Sequence, residues 1–307
     1  MSEGVKRAVS VSLGSSHRNH RVETVLLQQP ILLERIGVDG DQDAARRTFL
    51  ELDGQVDAFG VGGADLDIIV AGHTYPIRSM RKLVQGLKTP AVDGGGVRRV
   101  HERRLVQHLE RLLPTAIQPK RVLIGTAVAR YDLACSFEDA GYEAIYGDLA
   151  FTLGLPIAFR SLSALRRAAR VLIPLLSRLP FEMLYPTGQE QEASQPKFGD
   201  WYAWATVIAD DFHYIKRYLP DRLDGKIIVT NTTTPDDVEL LRARGVAYLV
   251  TTTPRLEGRT FGTNVLEAAL TAIAGQGRPL APDELRSMLN DEDLNPTILP
   301  LNEPVIS

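Results

Sequence analysis

The chain has 307 residues, of which 44% are hydrophobic and 24% charged, with a net charge of −3; this is a globular composition with enough apolar material for one large or two smaller cores. So small a negative charge provides no field for a polyanion, which argues against a nucleic-acid partner, and the single cysteine, Cys135, excludes an internal disulfide framework and a multi-cysteine zinc site. No apolar run approaches the roughly 18 to 20 residues of a membrane span, and the first residues show no long apolar region followed by a cleavage site, so the expectation is a cytoplasmic protein with no membrane partner.

In chain order, residues 7–13, 22–28 and 31–38 are rich in branched apolar side chains and predict strands, with Gln29-Pro30 as the turn between the last two. Residues 41–52 predict a helix, with Ala44, Ala45, Phe49 and Leu52 at helical spacing, and 56–61 a strand ending in Gly62-Gly63. Residues 68–77 suggest a small hairpin turning at Ala71-Gly72-His73, with Ser79 as the cap of a short helix ending at Gly86. A short strand over 90–92 runs into Asp93-Gly94-Gly95-Gly96, and 97–113 predicts a helix with Leu105, Leu109 and Leu112 on one face. Pro114 and Pro119 bracket a linker.

Beyond it, strands are predicted over 122–128, 144–146, 206–209, 226–230 and 246–250, and helices over 131–140, 161–179, 236–244 and 264–274. The apolar run 171–176, preceded by Arg166, Arg167 and Arg170, predicts a buried helix kinked at Pro174, with an interfacial anchor as the alternative. Residues 186–199 are polar and predict an exposed loop. The expected fold is therefore α/β with two lobes, an N-terminal mixed α/β lobe over 1–115 and a C-terminal Rossmann-like parallel sheet over 116–275, followed by a tail over 276–307.

Several predicted strands end in residues suited to a ligand. In open parallel sheets, loops at the carboxyl ends of strands converge with the N-termini of the following helices. Asp93, Gly94, Gly95 and Arg98 open a helix with little steric bulk and a bidentate donor, as a phosphate or carboxylate site would. Gly125, Thr126 and Arg130 occupy a β-α turn, and Asp148 ends the next strand about twenty residues later, the spacing of a ribose-binding acid; the G-x-G-x-x-G fingerprint is absent. Asp210, Asp211 and His213 supply two carboxylates and an imidazole for acid/base work. Asn231, Thr232 and Thr233 end a further strand, and Arg255 and Arg259 flank a glycine that would let them clamp an acidic ligand. Ser15, Ser16, His17 and Asn19 suit a hydroxyl-bearing substrate. For each loop the alternative is a solvated turn with a helix cap. No metal site is expected.

The chain resembles bacterial quinate/shikimate 5-dehydrogenase-like proteins in Tyr146-Gly147-Asp148-Leu149, Ala209-Asp210-Asp211-Phe212-His213-Tyr214-Ile215 and Thr230-Asn231-Thr232-Thr233-Thr234. The resemblance implies an N-terminal substrate domain and a C-terminal NAD(P)-binding domain. It also implies substrate hydroxyls at Ser15, Ser16, His17 and Asn19, and a cofactor loop at Asn231, Thr232 and Thr233. Three functions are carried forward: an NAD(P)-dependent oxidoreductase of a small polyhydroxy acid, a lyase or transferase acting on a phosphorylated or carboxylated metabolite, and a non-catalytic metabolite-binding protein. In each the partner is a small molecule, and homo-oligomers are left open.

Overall fold

The first strand, β1 (Lys6–Ser12), is buried over its last five residues, so both of its faces are covered, as a continuous apolar run predicts for a parallel strand. A 3₁₀ turn (Ser16–Arg18) leads into the antiparallel pair β2 (His20–Leu26) and β3 (Gln29–Gly37). The turn between them is Leu27-Gln28, at φ 49° and 61°, and not Gln29-Pro30. Two-residue hairpin loops need positive φ at both central positions to match the strand twist, and this placement also sets Leu27 against the lobe's core.

There follow α1 (Gln42–Leu52), whose N-cap Asp41 accepts from Ala44 N–H at 2.8 Å, then β4 (Ala58–Gly62) and the hairpin of β5 (Asp67–Val70) and β6 (His73–Pro76). Next come α2 (Arg78–Leu83) and β7 (Ala91–Val92). Ser79 lies inside α2 and does not cap it; the cap position is Ile77, which has no side-chain acceptor. The sheet order is β2-β3-β1-β4-β7, parallel except for β2. The chain reverses direction across the sheet between β1 and β4. The structure describes residues 4–176, 196–253, 255–256, 259–260, 262–290, 294 and 296–303, in this computed structural model of the chain.

Helix α3 (Gly95–Leu112) starts two residues earlier than its apolar pattern predicts, because Gly95 and Gly96 form its first turn. With 18 residues it is about 27 Å long at 1.5 Å per residue. Val97 and Val100 lie in the first lobe's core with Ala8 and Ala58, whereas Leu105, Val106 and Leu109 lie in the second lobe's core with Val122 and Phe137. Leu112 is half exposed, beyond the buried stripe. Each fully buried leucine contributes on the order of 2 kcal/mol of apolar burial, so α3 anchors both lobes and holds them to one another.

The second lobe continues through β8 (Arg121–Ile124), α4 (Tyr131–Asp139), β9 (Glu143–Tyr146), α5 (Asp148–Leu153), α6 (Leu162–Leu176) and α7 (Gly199–Trp204). After these come β10 (Val207–Ala209), α8 (Phe212–Tyr218), β11 (Ile227–Thr230), α9 (Pro235–Ala243) and β12 (Tyr248–Thr251). The five strands are parallel in the order β9-β8-β10-β11-β12, a doubly wound sheet whose direction reverses between β8 and β10. The strand predicted over 122–128 stops at Ile124, since 125–130 turns over the strand end. Pro174 lies inside α6, and the part of the predicted polar loop up to 195 is outside the described residues.

The last elements are the ribbon of β13 (Arg255–Leu256) and β14 (Arg259–Thr260), then α10 (Thr263–Ala274), α11 (Pro282–Met288) and β15 (Thr297–Pro300). Helix α10, expected to close the second lobe, instead packs on β1, β4 and α3 of the first, with Val265, Leu266 and Ala269 in the core that holds Ala8 and Val97. Its sequence is apolar on nearly every side, which suits a helix surrounded by protein. Gly94 admits it: at φ 87°, a Cβ there would lie 2.2 Å from the Asn264 nitrogen. Nor are the described residues after 275 peripheral. Leu285 and Leu289 join the first lobe's core, and β15 pairs antiparallel with β12 at the edge of the second sheet.

Candidate functional site

The carboxyl ends of both sheets face each other across the lobe junction, and the residues there form one connected polar network. From the first lobe, Asp65 follows β4 and pairs with Arg98 of α3 at 2.9 Å. One turn later on α3, Glu102 meets Arg130 at 2.5 Å with both side chains almost fully buried, 1% and 0% exposed. Arg130 Nη1 donates to Asp211 Oδ1 at 2.9 Å, and Asn231 Nδ2 donates to the same oxygen. Asn231 Oδ1 in turn accepts from Thr252 Oγ1 at 2.9 Å, and the Asn231 carbonyl accepts from Thr253 Oγ1 at 3.0 Å. His101 of α3 bonds through Nδ1 to the Thr252 carbonyl. The alternation of carboxylate and guanidinium lets each buried charge offset its neighbours' desolvation. Beside it, a narrow cleft between the lobes is lined by Asp65, Ile68, Arg98, Glu102, Ala129 and Asp132.

The glycine-rich turns predicted to cradle an anion are occupied by the chain's own carboxylates. At the start of α3, Asp93 Oδ1 accepts from Gly95 N–H at 2.9 Å and its Oδ2 from Leu66 N–H at 2.7 Å, while Glu267 of α10 accepts from Val97 N–H at 3.0 Å. The missing side chain of Gly94 accommodates α10 and not a ligand. After β8, Asp148 Oδ1 accepts from Val128 N–H at 2.7 Å, and Thr126 Oγ1 donates to Asp210 Oδ1 at 2.6 Å. A Cβ on Gly125 would lie 2.2 Å from Asp210 Oδ2 and 2.6 Å from Phe151, so its bareness serves packing. At α9, Thr234 and Asp237 cap each other reciprocally.

The acidic pair splits by burial. Asp210 is 1% exposed beneath the turn, and burial together with the neighbouring Asp211 charge pushes its carboxyl up to about 7. For Asp211, burial works upward, but Arg130, His213 and Arg98 together hold it below the usual carboxylate range. Its side chain is 27% exposed. His213 is lowered by burial, against the pull of Asp211 and with the help of Arg18 and Arg217. Adjacent carboxylates pushed apart in this way assign one as a proton reservoir and the other as a fixed anion. Asp148 is likewise raised to about 7 by burial.

In the serine-rich turn, Ser15 Oγ accepts from His17 N–H at 3.2 Å, Ser16 N–H donates to Asp39 at 2.7 Å, and Asn19 Oδ1 accepts from Gly37 N–H at 2.6 Å. Asn19 therefore ties the turn to β3. Thr232 is half-buried and Thr233 buried at the end of β11. The side chains of Arg255 and Arg259 lie outside the described residues.

Sequence reasoning missed Asp65, His101, Glu102 and Glu267. His101 sits four residues before Leu105 on the apolar stripe of α3, and Glu267 interrupts the apolar α10; a polar residue on a buried face needs a buried partner, and that was the available signal. Asp65 had none.

Two family models described as domains of unknown function match the chain, DUF8753 over residues 7–93 and DUF8754 over 96–301, meeting at the turn where β7 passes into α3. No curated protein matches. Among solved structures, the chain is similar to an NAD-dependent malic enzyme from Thermotoga maritima (14% identity, 98% of this chain and 80% of that one, TM-score 0.38). It is also similar to a glucose-galactose binding protein from Geobacillus stearothermophilus (9%, 99% and 100%, TM-score 0.40) and to the arabinose-transporter periplasmic binding protein of Shewanella (11%, 96% and 92%, TM-score 0.39). Likeness at this level carries no argument about ligand or reaction. The match over 96–301 covers more than half of the chain, which belongs to the family described as Domain of unknown function (DUF8754).

Proposed function

We propose that this protein binds a small polar metabolite at the lobe junction, with Asp211 and His213 as the pair that contacts it and exchanges protons with it. The observation that carries this reading is the suspension of Asp211. Arg130 and Asn231 both donate to Oδ1, fixing an ionised, partly exposed carboxylate beside the point where the second sheet reverses direction, the usual place for a ligand in such folds. An imidazole kept neutral next to a fixed carboxylate has the makings of a general base.

The residues do not fit a nicotinamide dinucleotide at the β8 turn. Val128 N–H is taken by Asp148, and the space beside Gly125 is filled by Asp210 and Phe151, so the backbone cannot approach a pyrophosphate. Without that cofactor a hydride has no source, so the dehydrogenase reading ranks behind non-redox binding or proton-transfer chemistry.

A thermal-shift screen tests the proposal, since a ligand that binds only the folded state raises the melting temperature. The panel is polyols, hydroxy acids, sugar phosphates, NAD(H) and NADP(H). The expected result is stabilisation by one of the first three classes, weakened at least tenfold in apparent affinity by Asp211→Asn. Stabilisation by a nicotinamide cofactor, or full retention of binding in Asp211→Asn, overturns it.

A further inference from the structure

The positions where α/β folds commonly take an anion are closed here: α3 by Asp93 and Glu267, the β8 turn by Asp148, and α9 by Thr234 and Asp237. The cleft beside the Asp211 network differs in kind. Its walls carry Asp65, Asp67, Arg98, Arg99, Glu102 and Asp132, and each of these carboxylates already has a guanidinium. Asp65 lies 2.9 Å from Arg98 Nη2, Glu102 2.5 Å from Arg130 Nε and Asp132 2.6 Å from Arg103 Nε, while Asp67 Oδ1 accepts from Arg81 Nε at 3.1 Å. Arg99 has Asp93 for a neighbour: its Nη1 and the Asp93 Oδ1 lie 3.2 and 2.9 Å from the point where a Cβ on Gly95 would stand. These walls are rich in charge, and the charges are balanced. A ligand with a net charge gains little there, because an anion drawn to any guanidinium also meets its carboxylate, and a cation the reverse. A hydroxyl suits the same place, since it accepts from the guanidinium and donates to the carboxylate beside it.

One pair is shielded from water without being sealed. Asp65 and Arg98 are 13% and 12% exposed, whereas Glu102 and Arg130 are closed off and the guanidiniums of Arg81 and Arg103 are more than half exposed. Pairs open to solvent contribute little to recognition, and a sealed pair cannot touch a ligand. Asp65–Arg98 also stands one turn of α3 from the Glu102–Arg130 contact that leads to Asp211. Ile68, Ala129 and Tyr131 add apolar surface to the same cleft, suited to the C–H face of a ring. The first-lobe wall is the hairpin of β5 and β6, which pairs with neither large sheet, so it can shift to admit a ligand without breaking the hydrogen bonds of either. We propose that the ligand is a neutral polyhydroxy compound, a sugar or cyclic polyol, and that Asp65 and Arg98 together hold one of its hydroxyls. This rests on the reading of the junction as a metabolite site and narrows its ligand to a class without net charge.

A matched series titrated into the full chain by calorimetry tests this, with glucose and myo-inositol as neutral members, glucuronate as the acid and glucosamine as the cation. The expected result is saturable binding of a neutral member that added sodium chloride does not change, with the charged analogues weaker by at least about tenfold. Asp65→Asn and Arg98→Gln should each weaken the neutral ligand by about tenfold or more, as loss of a charged hydrogen-bond partner does. The double variant strands no charge in the wall; its melting curve establishes that the fold is kept while its affinity stays low. The inference is overturned if glucuronate or glucosamine binds as tightly as the neutral members, if neither neutral member binds at millimolar concentration, or if Asp65→Asn binds as the parent does. Glucuronate binding that Asp211→Asn abolishes would sink the neutral class and leave the metabolite reading standing. Neutral binding that survives Asp211→Asn and is lost in Asp65→Asn would support the cleft pair and remove Asp211 from the site.

Discussion

Replacing Arg130 by methionine tests whether the buried charge network is what sets the geometry of the junction. Arg130 is wholly buried and meets Glu102, itself 1% exposed, at 2.5 Å. Burial pushes the Glu102 carboxyl above its ordinary range against the pull of Arg130 and Arg98, so removing Arg130 leaves a buried carboxylate with a weaker counter-charge. Breaking a buried pair from one side costs about 3–5 kcal/mol, whereas exchanging both partners for apolar residues of similar volume is often neutral or stabilising. At roughly 2 °C per kcal/mol for a chain of this size, Arg130→Met should lower the melting temperature by about 6–10 °C. The double variant Arg130→Met/Glu102→Met should recover most of that loss. The deficit of the single variant should also depend on pH. Without Arg130 the folded-state pKa of Glu102 rises further above its unfolded value, so its contribution is fully present below the unfolded pKa and is lost as pH rises through the folded one. The gap to the parent protein should therefore be widest near pH 8 and narrow toward pH 5. Melting curves of the three proteins across that range provide the measurement. A single and a double variant equally unstable at every pH would refute the reasoning, because the loss would then come from packing and not from a stranded charge.

Two further outcomes follow from the β8 turn. Asp210 has a folded-state pKa of about 7, raised by burial, so its ionisation costs stability as pH rises from about 4 through 7. Asp210→Asn keeps an acceptor for Thr126 Oγ1 and for Asp211 N–H, and its melting temperature relative to the parent should climb from pH 5 to about pH 7 and level off above it; a flat difference throughout contradicts this. Gly125→Ala drives a Cβ to 2.2 Å from Asp210 Oδ2 and should cost about 1–3 kcal/mol as overpacking. Gly199→Ala, with nothing within 4 Å, should be neutral in the same denaturation assay.

The fold was legible wherever a residue's neighbours are close in sequence. Apart from β15, which lay in the expected tail, alternating and continuous apolar runs located the strands of both sheets, and the Ala44-Ala45-Phe49 spacing and the Leu105-Leu109 stripe located two helices, because those patterns report burial of a face. What stayed hidden depended on contacts across the chain. Helix α10 reads as an ordinary apolar helix at the end of the second lobe, and only the bareness of Gly94 and the carboxylate of Glu267 record that it returns to the first. The site behaved the same way. The glycine-rich turns at Gly94-Gly95 and at Gly125-Thr126 have the residue types of an anion site, and the structure fills them from within: Asp93 accepts from Gly95 N–H, α10 lies against Gly94, Asp148 accepts from Val128 N–H, and Asp210 takes the Thr126 hydroxyl beside Gly125. A glycine at a strand end says that something approaches closely; it does not say whether the visitor is a ligand or another part of the fold. Buried carboxylates near those glycines decide the matter, since each must find donors inside the protein. The residue left to a ligand is then Asp211, whose Oδ1 is held by Arg130 and Asn231 while its side chain stays partly exposed at the lobe junction.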